Sequence, residues 1–338
     1  MDNGFYNNRF DGVQALRALA AFSVVINHMA FVENGGFGVD IFFCISGFIM
    51  MYVTERNADH FISKRIIRIV PLYYLMTFFT YLCALIIPGL FEKTSMQVTY
   101  LVKSLLFIPF DIGHGIIQPI VRVGWTLNYE VFFYIILWVA LHISHRYRAA
   151  VASGIIIALV AAGSVLDDMI IPLEYWSDSI MLEFIFGMLA YMCVKNLTMH
   201  ISYDSISSIK RVGLAVPAII MYIFMWSVKY TDIFDGIPRC VIFGIPAFII
   251  FVAVFLATYR CTLPGILVYL GDISYSVYLI HYFIIRLFNH FICPDGVADI
   301  KTVVCAAALV IIIVLISSAS YYIIEKKCSG MLKKLLAC

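Results

Sequence analysis

Apolar stretches of about 17–25 residues, divided by short polar breaks, recur along the whole chain, and that is the length a helix needs to cross a hydrocarbon layer roughly 30 Å thick. The pattern predicts spans near 12–32, 36–54, 70–91, 126–144, 149–166, 179–195, 212–228, 240–258, 267–291 and 302–324. Helices are the form expected, because a helix satisfies its own backbone N–H and C=O groups where no water can. The apolar segment 98–110 (VTYLVKSLLFIPF) is short and carries Lys103, which predicts an interfacial or re-entrant piece. The expectation is an all-α, polytopic membrane protein of about ten transmembrane helices, with 1–338 forming one membrane domain. The loops are too short to fold separately, and no internal repeat suggests a transporter built from duplicated halves.

Composition agrees. The 338 residues are 63% hydrophobic and 13% charged, against roughly 45–50% and 25% in soluble domains. A formal charge of +2 gives no reason to expect a nucleic-acid partner. The distribution of charge says more. Under a ten-span count, fifteen Lys and Arg residues share one face, among them Arg9, Arg65 and Arg68. Six lie opposite: Lys93, Lys103, Arg122, Lys229, Arg239 and Lys301. The richer face is expected to be cytoplasmic, with both termini on it. The far-side loops are short and acidic, as around Asp167 and Asp168. Cys44, Cys83, Cys193, Cys240 and Cys305 sit singly in apolar runs without ligand spacing, so no metal site is expected. The first run carries Arg17 and His28 and lacks a cleavage signature, so it is expected to remain as a helix.

Ionisable groups within a bilayer are costly and need structural pairing or function to justify them. Arg17, His28, Asp40, Glu130, Glu183, Asp272, His281 and Arg286 stand out. On one continuous helix, Arg17 and His28 would be about 20° apart in azimuth and roughly 16 Å apart along the axis. That would suit a substrate held low by the guanidinium and reacting at the imidazole, although a snorkelling Arg and a core His would share the spacing. In ISKRIIRIVPLYY, Lys64, Arg65 and Arg68 precede Pro71; the two arginines could grip phosphate oxygens or simply flank the membrane. GWTLNYEVFFY places Trp125 at the far interface and Glu130 deeper, as a base, a proton carrier, an orienter of His28 or a partner for an Arg. In LGDISYSVYLIHYFIIR, Ser274, Tyr278 and His281 share one stripe, while Asp272 and Arg286 fall on another. The serine-hydrolase elbow, phosphate-binding loop, zinc-protease and dinucleotide patterns are missing where they could act.

These residues together resemble the membrane acyltransferase-3 family, bacterial O-acyltransferases that modify surface and cell-wall glycans. The resemblance rests on RFDGVQALRALAAFSVVINHM with its R-x10-H spacing, FGVDIFFCISGFIM with Asp40, Ser46 and Gly47, the Arg65/Arg68 pair, GWTLNYEVFFY and LGDISYSVYLIH, and it is strongest for the exopolysaccharide-production branch. It implies a multi-pass protein of the bacterial cytoplasmic (inner) membrane. It also implies acyl-CoA, with acetyl-CoA the expected form, as donor substrate at the cytoplasmic face with no tightly bound cofactor, and a carbohydrate or lipid-linked glycan as acceptor. The resemblance implies essential roles for Arg17 and His28 and a CoA-phosphate contact at Arg65 and Arg68, with Lys64 beside them; Glu130 is then expected to orient His28. Asp40, Ser46, Trp125, Tyr278 and His281 are further polar candidates. The competing readings are a polysaccharide or lipid-linked sugar flippase and a non-catalytic subunit of a polysaccharide synthase.

Overall fold

The computed structural model describes residues 10–32, 34–90, 97–113, 115–166, 169–200, 207–228 and 236–335. Arg9, Lys93, Lys229, Asp167 and Asp168, used in the charge count and loop reading, lie outside these. Among the described residues, fourteen α-helices run α1 (Asp11–Asn27), α2 (Gly38–Val53), α3 (Phe61–Ile86), α4 (Val98–Leu105), α5 (Trp125–Ile143), α6 (Arg148–Gly163), α7 (Ile171–Trp176), α8 (Leu182–His200), α9 (Ser208–Ser227), α10 (Ile245–Thr258), α11 (Gly265–Asp272), α12 (Ser274–Phe291), α13 (Ile300–Ser320) and α14 (Ser329–Leu335). Among the described residues, the only strand-like feature is an isolated bridge between Asp111 and Ile117.

All ten predicted spans coincide with helical residues, but among the described residues six helical stretches are long and apolar enough to cross a membrane, or seven if α11 and α12, bent by 67°, form one span. The remainder are short. At a 1.5 Å rise per residue, the 16-residue α2 and α6 reach about 24 Å. Helix α4 has eight residues and is too short to span. Two boundaries alter the site. Helix α1 ends at Asn27, so His28 lies in the following turn and the continuous-helix register does not extend to it. Helix α3 begins at Phe61, so Lys64, Arg65 and Arg68 occupy its first turns and Pro71 lies inside it.

The contacts resolve into two compact units. In the first, made of the chain through Ile26 with 34–58 and 179–274, α2 packs closely on α8. The seam is glycine-lined: a Cβ on Gly47 would overlap the Phe184 carbonyl oxygen, and one on Gly187 would overlap that of Cys44. Small residues permit such backbone approach in lipid, where apolar side chains gain little by leaving the tails.

The second unit comprises 27–33, 59–178 and 275–338. Proline 71 has no N–H for the carbonyl of Ile67 four residues back. The Ser329 hydroxyl from α14 donates to that carbonyl at 3.1 Å, and the Tyr275 hydroxyl from α12 donates to Ile69 O at 2.7 Å. The Tyr73 and Tyr74 hydroxyls donate to the carbonyls of Ser104 and Leu105 at 3.1 and 2.9 Å, fastening α4 to α3. Asp299 caps α13 by accepting the Thr302 N–H at 2.6 Å, a bond that holds its carboxyl below the usual carboxylate range.

Candidate functional site

Within the first unit, Arg17 is half-buried on α1 and donates from Nη1 to Gln14 Oε1 at 3.3 Å. Asp40, fully buried on α2, is clasped by Arg239: Nε donates to Oδ1 at 2.9 Å and Nη2 to Oδ2 at 2.6 Å. Glu183 on α8 is also fully buried and interacts electrostatically with both charges. A fork-on-carboxylate pair explains Asp40 as a structural counter-ion. Ser46 is buried on α2 beside Gly47 of the glycine seam.

In the second unit, the Tyr134 hydroxyl donates to the Glu130 carboxylate one turn back on α5. Arg65 and Arg68 lie close enough to act on this pair electrostatically. Arg65 is half-buried, and its Nε is a buried donor with no hydrogen-bond partner among the described residues. Arg68 is exposed, and Lys64 donates from Nζ to the Asp59 carbonyl at 2.9 Å. The two arginines therefore differ: the half-buried Arg65 lies by Tyr134 and Glu130, and Arg68 is exposed. Trp125 opens α5, where its carbonyl accepts the Tyr175 hydroxyl at 2.8 Å. Tyr278 ties α12 to this end of α5 through Thr126 Oγ1 at 2.9 Å and the Val123 carbonyl at 2.9 Å.

His28 and His281, 253 residues apart, meet here. Nε2 of the fully buried His281 lies 3.4 Å from Nδ1 of His28, with ring centroids 5.0 Å apart. Nδ1 of His281 lies 3.0 Å from the Val277 carbonyl. A carbonyl can only accept, so in the neutral ring the His281 proton sits on Nδ1 and Nε2 is an acceptor. Nδ1 of His28 must then donate, which puts the His28 lone pair on Nε2. The tautomer of one imidazole fixes that of the other.

The turn holding His28 is fastened by Asn289 of α12. Its Nδ2 donates to the His28 carbonyl at 2.9 Å, and its Oδ1 accepts the Ala30 N–H at 3.2 Å. Tyr282 meets the His28 ring edge-on at 5.5 Å, and Arg286 Nη1 donates to the Tyr282 hydroxyl at 3.4 Å. His28, Arg122, Tyr282, Arg286, Asn289 and His290 all line one cavity of about 460 Å³, a volume in the ordinary range for small-molecule pockets. Tyr282, Asn289 and Arg122 were not singled out as site residues in the sequence. The visible signal was the i, i+4 run Tyr278–Tyr282–Arg286, and the separate stripe assigned to Arg286 reaches the His28 cavity through Tyr282. Among the described residues no cluster of three His, Cys, Asp or Glu could hold a metal.

A family model described as an acyltransferase domain matches residues 10–322. The chain is similar to the exopolysaccharide production protein ExoZ of Rhizobium meliloti (strain 1021), at 32% identity over 265 residues, covering 75% of this chain and 77% of that protein. It is similar at 27% identity over 312 residues to "Putative peptidoglycan O-acetyltransferase YrhL" of Bacillus subtilis (strain 168), covering 82% of this chain and 48% of that protein. No solved structure matches it.

Proposed function

Since the chain belongs to the acyltransferase-3 family and is an O-acyltransferase, we propose that it moves an acetyl group from acetyl-CoA at the cytoplasmic face to a hydroxyl of an exported carbohydrate, with His28 as general base. The observation that carries this reading is the His28–His281 pair at the edge of the cavity. The His28 Nε2 lone pair takes the proton of the sugar hydroxyl as its oxygen attacks the thioester carbonyl. The C–O bond forms, the C–S bond breaks, and the proton passes from the imidazolium to the departing CoA thiolate. His281 accepts the Nδ1–H throughout and so stabilises the charged ring. Such a base step contributes roughly 10²–10⁴ in rate.

The donor's phosphates are assigned to Arg65 and Arg68. The unpartnered buried Nε of Arg65 supports this, because a buried donor without an acceptor is unusual in a finished fold. The ten-span topology, with both termini cytoplasmic, is part of the proposal and rests on the positive-inside count. To test the chemistry, purified protein is given radiolabelled acetyl-CoA with and without a carbohydrate acceptor. Label should appear on the sugar with wild type and not with His28→Ala. Label held on wild-type protein without acceptor, and absent from His28→Ala, would instead indicate an acyl-imidazole intermediate. Near-normal transfer by His28→Ala would remove His28 from the chemistry.

A further inference from the structure

Glu183 is a buried acid to which the chemistry at His28 gives no task. It lies in the first turn of α8, in a helical stretch apolar enough to cross the membrane, and it is fully buried. Neither of its carboxyl oxygens has a hydrogen-bond partner among the described residues. The first turn of a helix offers backbone N–H groups that can serve a carboxylate, yet Glu183 takes none of them. Its surroundings come from each element packed on α8. Asp40, the charge that acts on it most strongly, and Cys44 face it from α2, and Arg239 and Cys240 face it from the start of the π-helical turn Cys240–Gly244. Helix α10 and the turn Ser179–Met181 carry no titratable side chain. A Cβ on Gly244 would come within 2.9 Å of Glu183 Cγ, so protein backbone lies against its stem.

An ionised carboxylate in such a place bears its full desolvation cost with no donor to offset it, and a group so placed takes up a proton instead. A metal cation fits less well, because the Arg239 guanidinium already sits on the neighbouring Asp40. Asp40 does have room for an acid proton: each of its oxygens accepts one N–H from Arg239 and keeps a further lone pair. From this arrangement we propose that Glu183 is a proton-binding site, neutral in the resting protein, so that the Asp40/Glu183 pair holds one exchangeable proton and one negative charge beside the Arg239 fork. Loss of that proton would set a second carboxylate against the Asp40–Arg239 clasp, between two helices whose backbones meet at Gly47 and Gly187.

Infrared difference spectroscopy on the whole chain in nanodiscs tests this at neutral pH, where ordinary carboxyls are ionised. The wild type should show a protonated-acid carbonyl band that shifts in heavy water and shifts again when the protein is made with carbon-13-labelled glutamate. Glu183→Gln, the isostere of the neutral acid, should lose the band, and Glu130→Gln should keep it. A glutamate band that survives in Glu183→Gln, or one that disappears in Glu130→Gln, would overturn the proposal; the second comparison decides the matter even if Glu183→Gln fails to fold. So would the lack of any acid band, which would mean an ionised and hydrated carboxylate. A band seen only when N-methylglucamine replaces sodium and potassium would put a metal cation where the proton is assigned. Thermal unfolding gives an independent reading. The folded state holds a proton that the unfolded chain has released, so the wild-type midpoint should fall as pH rises through neutrality, and Glu183→Gln should remove that part of the slope. Equal slopes in the two proteins would also overturn the assignment.

Discussion

His281 presents Nε2 to Nδ1 of His28 at 3.4 Å while its own Nδ1 faces the Val277 carbonyl at 3.0 Å. The distance is at the long end for a hydrogen bond, as resting catalytic pairs commonly are before substrate tightens them. His281→Phe should lower kcat by on the order of 10² with little change in KM for either substrate, because the ring loses its tautomeric control and not its binding contacts. His281→Gln, whose amide oxygen can accept the Nδ1–H, should recover part of the loss. In the wild type kcat/KM should fall on the acid side, since protonated His28 has no lone pair to act as base. Equal kcat in His281→Phe and wild type would show that the pairing is only structural.

Asn289 makes two hydrogen bonds to the backbone around His28. Each contributes about 1 kcal/mol. Asn289→Leu should therefore cost about 1–2 kcal/mol in placing the turn, read as a roughly ten-fold lower kcat with acetyl-CoA affinity intact. Asn289→Asp keeps the acceptor for Ala30 N–H but loses the donor, and should fall between. A change confined to thermal stability, with kcat unmoved, would make Asn289 a simple tie.

Arg65 and Arg68 should separate under substitution because one lies by Tyr134 and Glu130 and the other is exposed. Arg68→Ala should weaken acetyl-CoA binding with no loss of stability. Arg65→Ala should weaken binding and also lower the melting temperature, since it removes a positive charge from beside Glu130. Lys should rescue either only in part, for want of the planar fork. Calorimetric titration with CoA checks the first effect and thermal unfolding the second.

The Asp40–Arg239 pair predicts a loss of stability. Asp40→Ala leaves a guanidinium without its bidentate partner, which should destabilise the fold by about 3 kcal/mol. The double replacement Asp40→Leu/Arg239→Met should recover most of that, because it removes both charges together. Folded yield and detergent-unfolding midpoints measure it. A double variant no better than the single one would contradict a purely structural pair.

Ser329 and Pro71 form a testable cycle across the Ile67 carbonyl. Ser329→Ala should cost about 1 kcal/mol by leaving that carbonyl unsatisfied. In a Pro71→Ala background, residue 71 supplies its own N–H, and the same substitution should cost much less. Additive losses in the double variant would refute the link.

The apolar runs by themselves determined that the chain is helical and membrane-embedded, because lipid leaves a backbone of this hydropathy few alternatives. Each of the ten predicted spans coincides with helical residues, and the ionisable residues that interrupt them marked His28, Glu130, His281 and Arg286 as positions needing a reason. What sequence could not decide were relations across helices. Periodicity is a local property, whereas the partner of a side chain is set by which helix packs opposite and at what depth. Nothing local to Asp40 pointed to Arg239, 199 residues away, as its counter-ion. Nor did the R-x10-H spacing indicate that α1 would stop at Asn27, leaving His28 in a turn held by Asn289. The imidazole that fixes the His28 tautomer lies on a helix 253 residues further along, and only the fold brings the two rings together.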